Sequence, residues 1–225
     1  MQELYNKIKK YSLEDVLKIE ESDRQFIALK ELSCSINNID LYLFLIIANS
    51  IICYQLSGKW EDYWEEFSHY FSKKEISFNS LIDELANFVS NSKNNKRFVD
   101  TKIKRINKLK DFCLDFEWKS KFYYENMTLL RDDLSKIMNQ KKDAKTITFS
   151  VKMFWYWARN VFPFVSYPRD ISIPIDSRLI NLFEKYKWDY SDINLFYKDL
   201  SEKIWIPSLH FDALVWVNYD KLIND

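Results

Sequence analysis

This sequence predicts an all-α protein, and three observations carry that expectation. One glycine and four prolines among 225 residues are too few turn formers for a many-stranded sandwich or barrel; they suit long helices joined by short polar loops. Apolar residues recur at three- and four-residue spacing, as in Phe26, Leu29, Leu32 and Ile36. Hydrophobic residues make up 47% of the chain, which excludes disorder and supplies a core for one large domain or two small lobes.

The elements follow in order. Leu13 to Glu21 and Arg24 to Asn37 read as amphipathic helices. Asp40 is expected to cap an apolar helix running to Gln55. That apolar stretch is broken by Asn49 and Ser50 and falls short of the roughly 20 residues that span a bilayer, so it predicts a buried helix and no membrane partner. Gly58 marks the turn into Glu61 to Phe71, which carries Tyr63, Trp64, Phe67, Tyr70 and Phe71. Phe78 to Val89, Phe98 to Cys113 and Asn126 to Asn139 are further helices, and Thr146 to Phe162 is rich in aromatics. Pro163, Pro168 and Pro174 keep the next stretch out of helix, and Asp176 caps the helix beyond it. Pro207 precedes a last helix from about Leu209 to Leu222.

Charge and cysteine usage exclude some functions and leave others open. The 33 basic and 33 acidic side chains cancel, so a nucleic-acid surface requires local segregation of charge. The strongest local candidate is Lys93 to Lys110, with Lys93, Lys96, Arg97, Lys102, Lys104, Arg105, Lys108 and Lys110; such a run is either a solvated face or a phosphate contact. Cys34, Cys53 and Cys113 give neither a disulfide framework nor a metal spacing, and His69 and His210 lie far apart in sequence, so no metal is expected. The opening residues lack the apolar run of a signal peptide, and a soluble intracellular protein is expected.

The chemistry centres on Lys152 and Asp176, 24 positions apart. Ile147, Val151, Phe154, Ala158, Val161 and Phe162 share one stripe of the aromatic helix, its expected core face. Lys152, Trp155, Tyr156 and Arg159 share the neighbouring face. Rings that exclude water and a like charge at Arg159 are both expected to lower the Lys152 pKa, as a nucleophilic amine needs. The bland alternative is an amphipathic ledge with its ammonium in water, and an Asp176 that only caps a helix. His210, Asp212 and Trp216 stand together near the start of the last helix, Asp212 and Trp216 on one face. Taken blindly, Trp216 is core and Asp212 a solvated charge. No phosphate-binding glycine loop and no Ser-His-Asp arrangement is present.

Read together, the motifs have an order: Asp23-Arg-Gln25-Phe-x-Ala-Leu, Tyr63-Trp64-x-x-Phe67, Lys145-Thr-Ile-x-Phe-x-Val-Lys152-Met, Ile173-Pro-Ile-Asp176-Ser-Arg178, and Ile206-Pro-x-Leu-His-x-Asp212-x-Leu-x-Trp216. This resembles the archaeal 8-oxoguanine DNA glycosylases, helix-hairpin-helix N-glycosylase/DNA lyases, from about Asp23 to Trp216. The resemblance implies two helical lobes with the active site between them, in a single unit over residues 1–225 of two interlaced subdomains. It implies a helix-hairpin-helix catalytic segment at residues 146–187. Lys152 matches the Schiff-base lysine and Asp176 the catalytic aspartate. Gln25, Trp64, Tyr156, Arg159, Asp212 and Trp216 match the pocket for a flipped base, with Trp216 stacking on it. Tyr156 and Arg159 stand where the family has phenylalanine and lysine, and no glycine lies between Lys152 and Asp176, where the hairpin is expected. The implied activity is excision of 8-oxoguanine from damaged DNA with strand cleavage, in base excision repair, by a monomer working with the chromosomal DNA and without a cofactor. The alternatives are a same-fold glycosylase for another damaged base and a non-catalytic helical DNA-binding protein.

Overall fold

The computed structural model describes residues 1–224, which form fourteen helices and no strand. Three helices fit their sequence signals closely. Helix α2 (Leu13–Glu21) starts at a capping box, in which Ser12 and Asp15 satisfy each other's backbone N–H groups. Helix α4 (Ile39–Ile52) is buried along almost its whole length, as its unbroken apolar character requires. Its cap is Asn38 and not Asp40: the Asn38 side chain accepts from the Leu41 N–H at 3.0 Å. Asp40 instead accepts from the Ser120 N–H at 3.1 Å, a contact between distant segments that local spacing could not announce. Helix α5 (Trp60–Phe71) turns its aromatics inward and Glu61, Asp62 and Glu65 outward.

The remaining elements are α1 (Gln2–Ile8), α3 (Arg24–Ser33), α6 (Leu81–Asn91), α7 (Val99–Asn107), α8 (Lys110–Asp115), α9 (Ser120–Glu125), α10 (Met127–Met138), α11 (Lys145–Ala158), α12 (Ser177–Tyr186), α13 (Ile193–Ile204) and α14 (Ser208–Asn224). The helix expected from Phe98 to Cys113 is therefore two, broken at Lys108 and Leu109. Among the described residues no helix is long and apolar enough to cross a membrane.

Glycine scarcity shapes the loops. Gly58 sits so close to the Asn94 side chain that a Cβ there would lie 2.0 Å from its Oδ1, so any larger residue would displace that side chain. Elsewhere Gln55, Phe98, Trp118, Asn139, Trp188 and Trp205 adopt the left-handed backbone that glycine usually supplies.

Two hydrophobic cores result. One is built from α3 to α11, the middle of the chain, around the α4–α11 pair. The other joins α1 and α2 to α12, α13 and α14, so both ends of the chain meet in one lobe. Helix α14 belongs to both: Leu209 and Ala213 enter the first core, and Phe211, Leu214 and Val215 the second. This places α14 at the seam, facing α2 and α12.

Helix α11 departs from its expected face pattern. Lys152, Trp155 and Tyr156 are as buried as the core stripe, because α11 is packed on more than one side. Val161 is 42% exposed, since the helix ends at Ala158 and the stripe does not reach it. Between α11 and α12 the chain makes no tight hairpin. Residues 159–176 run as an irregular, proline-bearing connector, pinned by the Trp155 Nε1–H to the Val165 carbonyl (2.6 Å) and by the Tyr167 hydroxyl to the Lys152 carbonyl (2.8 Å). The tight helix–helix connection lies upstream, where six residues, Asn139 to Ala144, join α10 to α11. Asn139 closes α10 there with a left-handed backbone, φ 50°, in the role a glycine usually takes.

Candidate active site

Five elements converge on one cleft between the lobes. Its walls are Gln25 of α3, Trp60 of α5, Lys145, Phe149 and Lys152 of α11, Pro174 and Asp176 before α12, and Asp212 and Trp216 of α14. Five residues expected at the site, Lys152, Asp176, Gln25, Asp212 and Trp216, are brought together here across more than 190 positions of sequence. Larger grooves of about 540 Å³ lie elsewhere, one at the α1–α12 corner and one near α8 and α10, so chemistry and not size marks the site. The cleft itself holds only about 20 Å³, room for one water. Admission of a base therefore requires the walls to move.

Lys152 is 3% exposed, and its ammonium is bound to the Asp212 carboxylate at 2.5 Å. It also lies 5.0 Å from the centroid of the Tyr156 ring. Burial pushes its pKa down, but the carboxylates of Asp212, Asp23 and Glu20 outweigh that and hold it above the ordinary lysine value. The sequence-based expectation of a lowered pKa is thus overturned for the resting site. Carboxylates contributed by α2, α3 and α14, distant in sequence, reverse the sign, and the resting amine is a protonated ammonium. For Asp212 burial is also the main influence, pushing its carboxyl up against the pull of Lys152.

Arg159 does not repel Lys152. It is committed to the fully buried Glu20 carboxylate, which also takes a hydrogen bond from His210 Nδ1 at 2.8 Å. Its guanidinium packs over the Trp155 and Phe26 rings, and it lines no part of the cleft. The expected pocket contact is thus replaced by a tie between α2, α11 and α14. Tyr156 is also away from the wall: it is fully buried beneath Lys152, with its hydroxyl 3.4 Å from Asp23 Oδ2. Trp64 is fully buried as well, against Phe67 and Phe149. Trp60, one helical turn earlier, is the α5 indole that reaches the cleft, edge-on to Phe149 and Trp216. Sequence reasoning missed Trp60 and Lys145, whose ammonium lies 4.9 Å from the Trp60 ring.

Asp176 is the cap of α12, its Oδ1 accepting from the Leu179 N–H at 2.9 Å. Capping uses one carboxylate oxygen and leaves the group at the cleft wall. Trp216 is half-buried, with the Arg178 guanidinium 3.6 Å from its ring centroid and donating to its backbone carbonyl at 3.2 Å. One face of the indole is thereby occupied by a cation. Gln25 is 4% exposed, and its side-chain carbonyl oxygen has no hydrogen-bond partner among the described residues. A buried acceptor left open in a cleft wall is available to a ligand donor.

The basic run divides. Lys104, Lys108 and Lys110 are exposed. Arg105 instead braces the α10–α11 connection, donating to Gln140 and Thr146 at 2.9 Å each. Lys102 is fully buried against Asn95 and the Tyr54 ring, which removes it as a phosphate contact. Burial pushes its pKa down to about 8. The unfolded chain then holds this proton over a range where the folded one does not. Lys102 should accordingly contribute a rise in stability with pH from about 8 to the ordinary lysine value of about 10.5, read as wild type minus a Lys102→Met variant. In the variant that contribution should be absent, and thermal melts across this range read the difference.

The cleft thus offers a lysine, two carboxylates, an open amide acceptor and indole surface, a set suited to covalent chemistry on a flat, polar ligand. The AGOG family model, described as N-glycosylase/DNA lyase, matches residues 5–225. An N-glycosylase/DNA lyase of Methanococcus maripaludis is 42% identical over 205 residues, covering 88% of this chain and 78% of the relative. One from Nanoarchaeum equitans is 40% identical over 211 residues, covering 93% of this chain and 86% of the relative. The crystal structure of Pa-AGOG from Pyrobaculum aerophilum, an 8-oxoguanine DNA glycosylase complexed with 8-oxoguanosine, has a TM-score of 0.81 at 25% identity. It covers 97% of this chain and 86% of that one. The chain belongs to the AGOG family of N-glycosylase/DNA lyases.

Proposed function

We propose that this chain excises 8-oxoguanine from DNA by a Schiff base on Lys152 and then cleaves the strand. Membership of the family makes it a base-releasing, strand-cleaving repair enzyme whose substrate is damaged DNA. The observation that carries the finer reading is the buried Lys152 at the wall of a cleft it shares with Asp176, Gln25 and Trp216. A base inside a duplex is out of reach of such a lysine, so the damaged nucleotide must be rotated out. Trp216, at the cleft wall, receives the ring on the side away from Arg178. The open Gln25 acceptor takes a donor on the base, and the N7–H that distinguishes 8-oxoguanine from guanine is such a donor. Neutral Lys152 attacks C1′ and displaces the base, and Asp176 stabilises the positive charge that develops on the sugar. The resulting imine permits β-elimination on the 3′ side.

The α10–α11 pair supplies the DNA grip. Its connection carries exposed Lys141 and Lys142, the latter paired with Asp132, and at the uncapped start of α11 the Lys145 and Thr146 N–H groups make no hydrogen bond among the described residues and can take a phosphate. On this reading the helix-hairpin-helix spans residues 127–158, upstream of the segment 146–187 that the resemblance implies. The enzyme acts as a monomer, inside the cell with the chromosomal DNA.

Matched duplexes containing 8-oxoguanine, uracil or no lesion test the reading. Release and strand scission on the 8-oxoguanine duplex, with at most slow reaction on the other two, is expected. Preference for uracil would assign the site to another lesion. Trp216→Ala should weaken binding to 8-oxoguanine DNA by about 1–3 kcal/mol, the scale of base–aromatic stacking, and binding to an abasic analogue much less. Equal losses on both ligands, measured by titration, would make Trp216 a structural residue.

A further inference from the structure

Resting on that reading, we propose that Asp212 is the proton carrier of the reaction, taking the ammonium proton from Lys152 and returning it to the departing base. The alternative carrier, Asp176, makes no hydrogen bond to Lys152; its Oδ1 is held by the Leu179 N–H. Asp212 Oδ2 lies 2.5 Å from Lys152 Nζ, with the two side chains 11% and 4% exposed. Both line the cleft that has room for one water, so a proton leaving Lys152 has a carboxylate in contact and almost no solvent.

Every other charged or titratable group around the pair is engaged or out of contact. Asp23, at the start of α3, takes the Gln25 N–H at 3.0 Å and faces the Tyr156 hydroxyl. Glu20 of α2 is bound by Arg159 and His210. Tyr167 of the connector donates to the Lys152 carbonyl. Lys145 of α11 lies over the Trp60 ring, and Glu61 of α5 acts on Asp23 from a distance. Burial already pushes the Asp212 carboxyl up, which makes it a better acceptor than a solvated aspartate.

The proton balance closes within the site. The Lys152 Nζ–H bond breaks as an O–H bond forms on Asp212. The freed nitrogen lone pair attacks C1′, and the bond from C1′ to the base breaks with its electron pair leaving on the base. The Asp212 proton then passes to that anionic base, restoring the carboxylate. As the sugar opens, a second nitrogen proton moves to the ring oxygen and leaves the protonated imine.

The test is borohydride trapping on a preformed abasic-site duplex across about pH 6–9, where no base departs and only amine activation is read. Wild type should trap at a nearly constant rate, because the lysine proton has an internal acceptor. Asp212→Asn should instead depend on pH, climbing about tenfold per unit until its lysine, which now holds its proton less tightly, has shed it to solvent, and levelling off above that point. It should lose still more on 8-oxoguanine DNA, where the base leaves without an acid. Asp212→Glu keeps a carboxylate and should restore the flat profile, which separates the role from any folding defect of the amide. A wild-type profile that itself climbs tenfold per unit, or an Asp212→Asn profile equal to wild type, would overturn the proposal. Complete failure of wild type to trap abasic DNA would instead sink the lysine mechanism on which it rests.

Discussion

Lys152→Ala is expected to abolish borohydride trapping and to lower base release and strand cleavage by roughly four orders of magnitude or more, the scale on which a lost nucleophile registers in other enzymes. The effect has two physical parts. The chemical part is removal of the amine in contact with the Asp212 carboxylate. The structural part follows from burial: removing one partner of a buried ion pair costs about 3–5 kcal/mol where the other charge is left stranded. Here the cost is reduced, because burial has already raised the Asp212 pKa and the carboxyl can protonate. The variant should therefore fold with a lower melting temperature and still bind lesion DNA. Binding and melting curves read beside the rates separate the parts. Trapping at the wild-type rate would assign the nucleophile to another lysine, of which Lys145 is the one in the same cleft.

Glu20→Ala should give the largest loss of stability. Glu20 is fully buried and binds both Arg159 and His210, tying α2 to α11 and α14 across the two lobes. Its removal leaves a guanidinium whose side chain is 5% exposed with only the longer contact to Glu21, at 3.8 Å. The expected cost is about 3–5 kcal/mol, and at about 2–4 °C per kcal/mol for a chain of this size the melting temperature should fall by about 6–20 °C. A melting temperature within about 2 °C of wild type would show that Arg159 finds another partner, and would return it to the pocket as a base contact.

How much of this was legible varied with the physical range of each signal. Helix α2 could be read to the residue because its capping box is local. Helices α1 and α9, of seven and six residues, are too short for periodicity to register. Helix α13 does carry a local signal, the Asp192 cap and the spacing of Phe196, Leu200 and Ile204. The order of motifs brought forward Lys152, Asp176, Gln25, Asp212 and Trp216, and the fold gathers all five. Periodicity alone could not choose between Trp60 and Trp64, which lie one turn apart on α5, since the choice depends on which end of that helix abuts the cleft. Nor could it see that Arg159 pairs with Glu20, 139 positions away, or that three carboxylates reverse the sign of the Lys152 shift. Local pattern found the residues; long-range packing set their electrostatics.

The most direct test of the account is the site of the covalent bond. Wild-type protein would be incubated with an 8-oxoguanine duplex and borohydride, the adduct digested, and the modified peptide sequenced by mass spectrometry. A single nucleotide adduct on Lys152, absent with undamaged duplex, is the predicted result. An adduct on Lys145 or any other lysine, or cleavage of the lesion strand with no adduct at all, would contradict it.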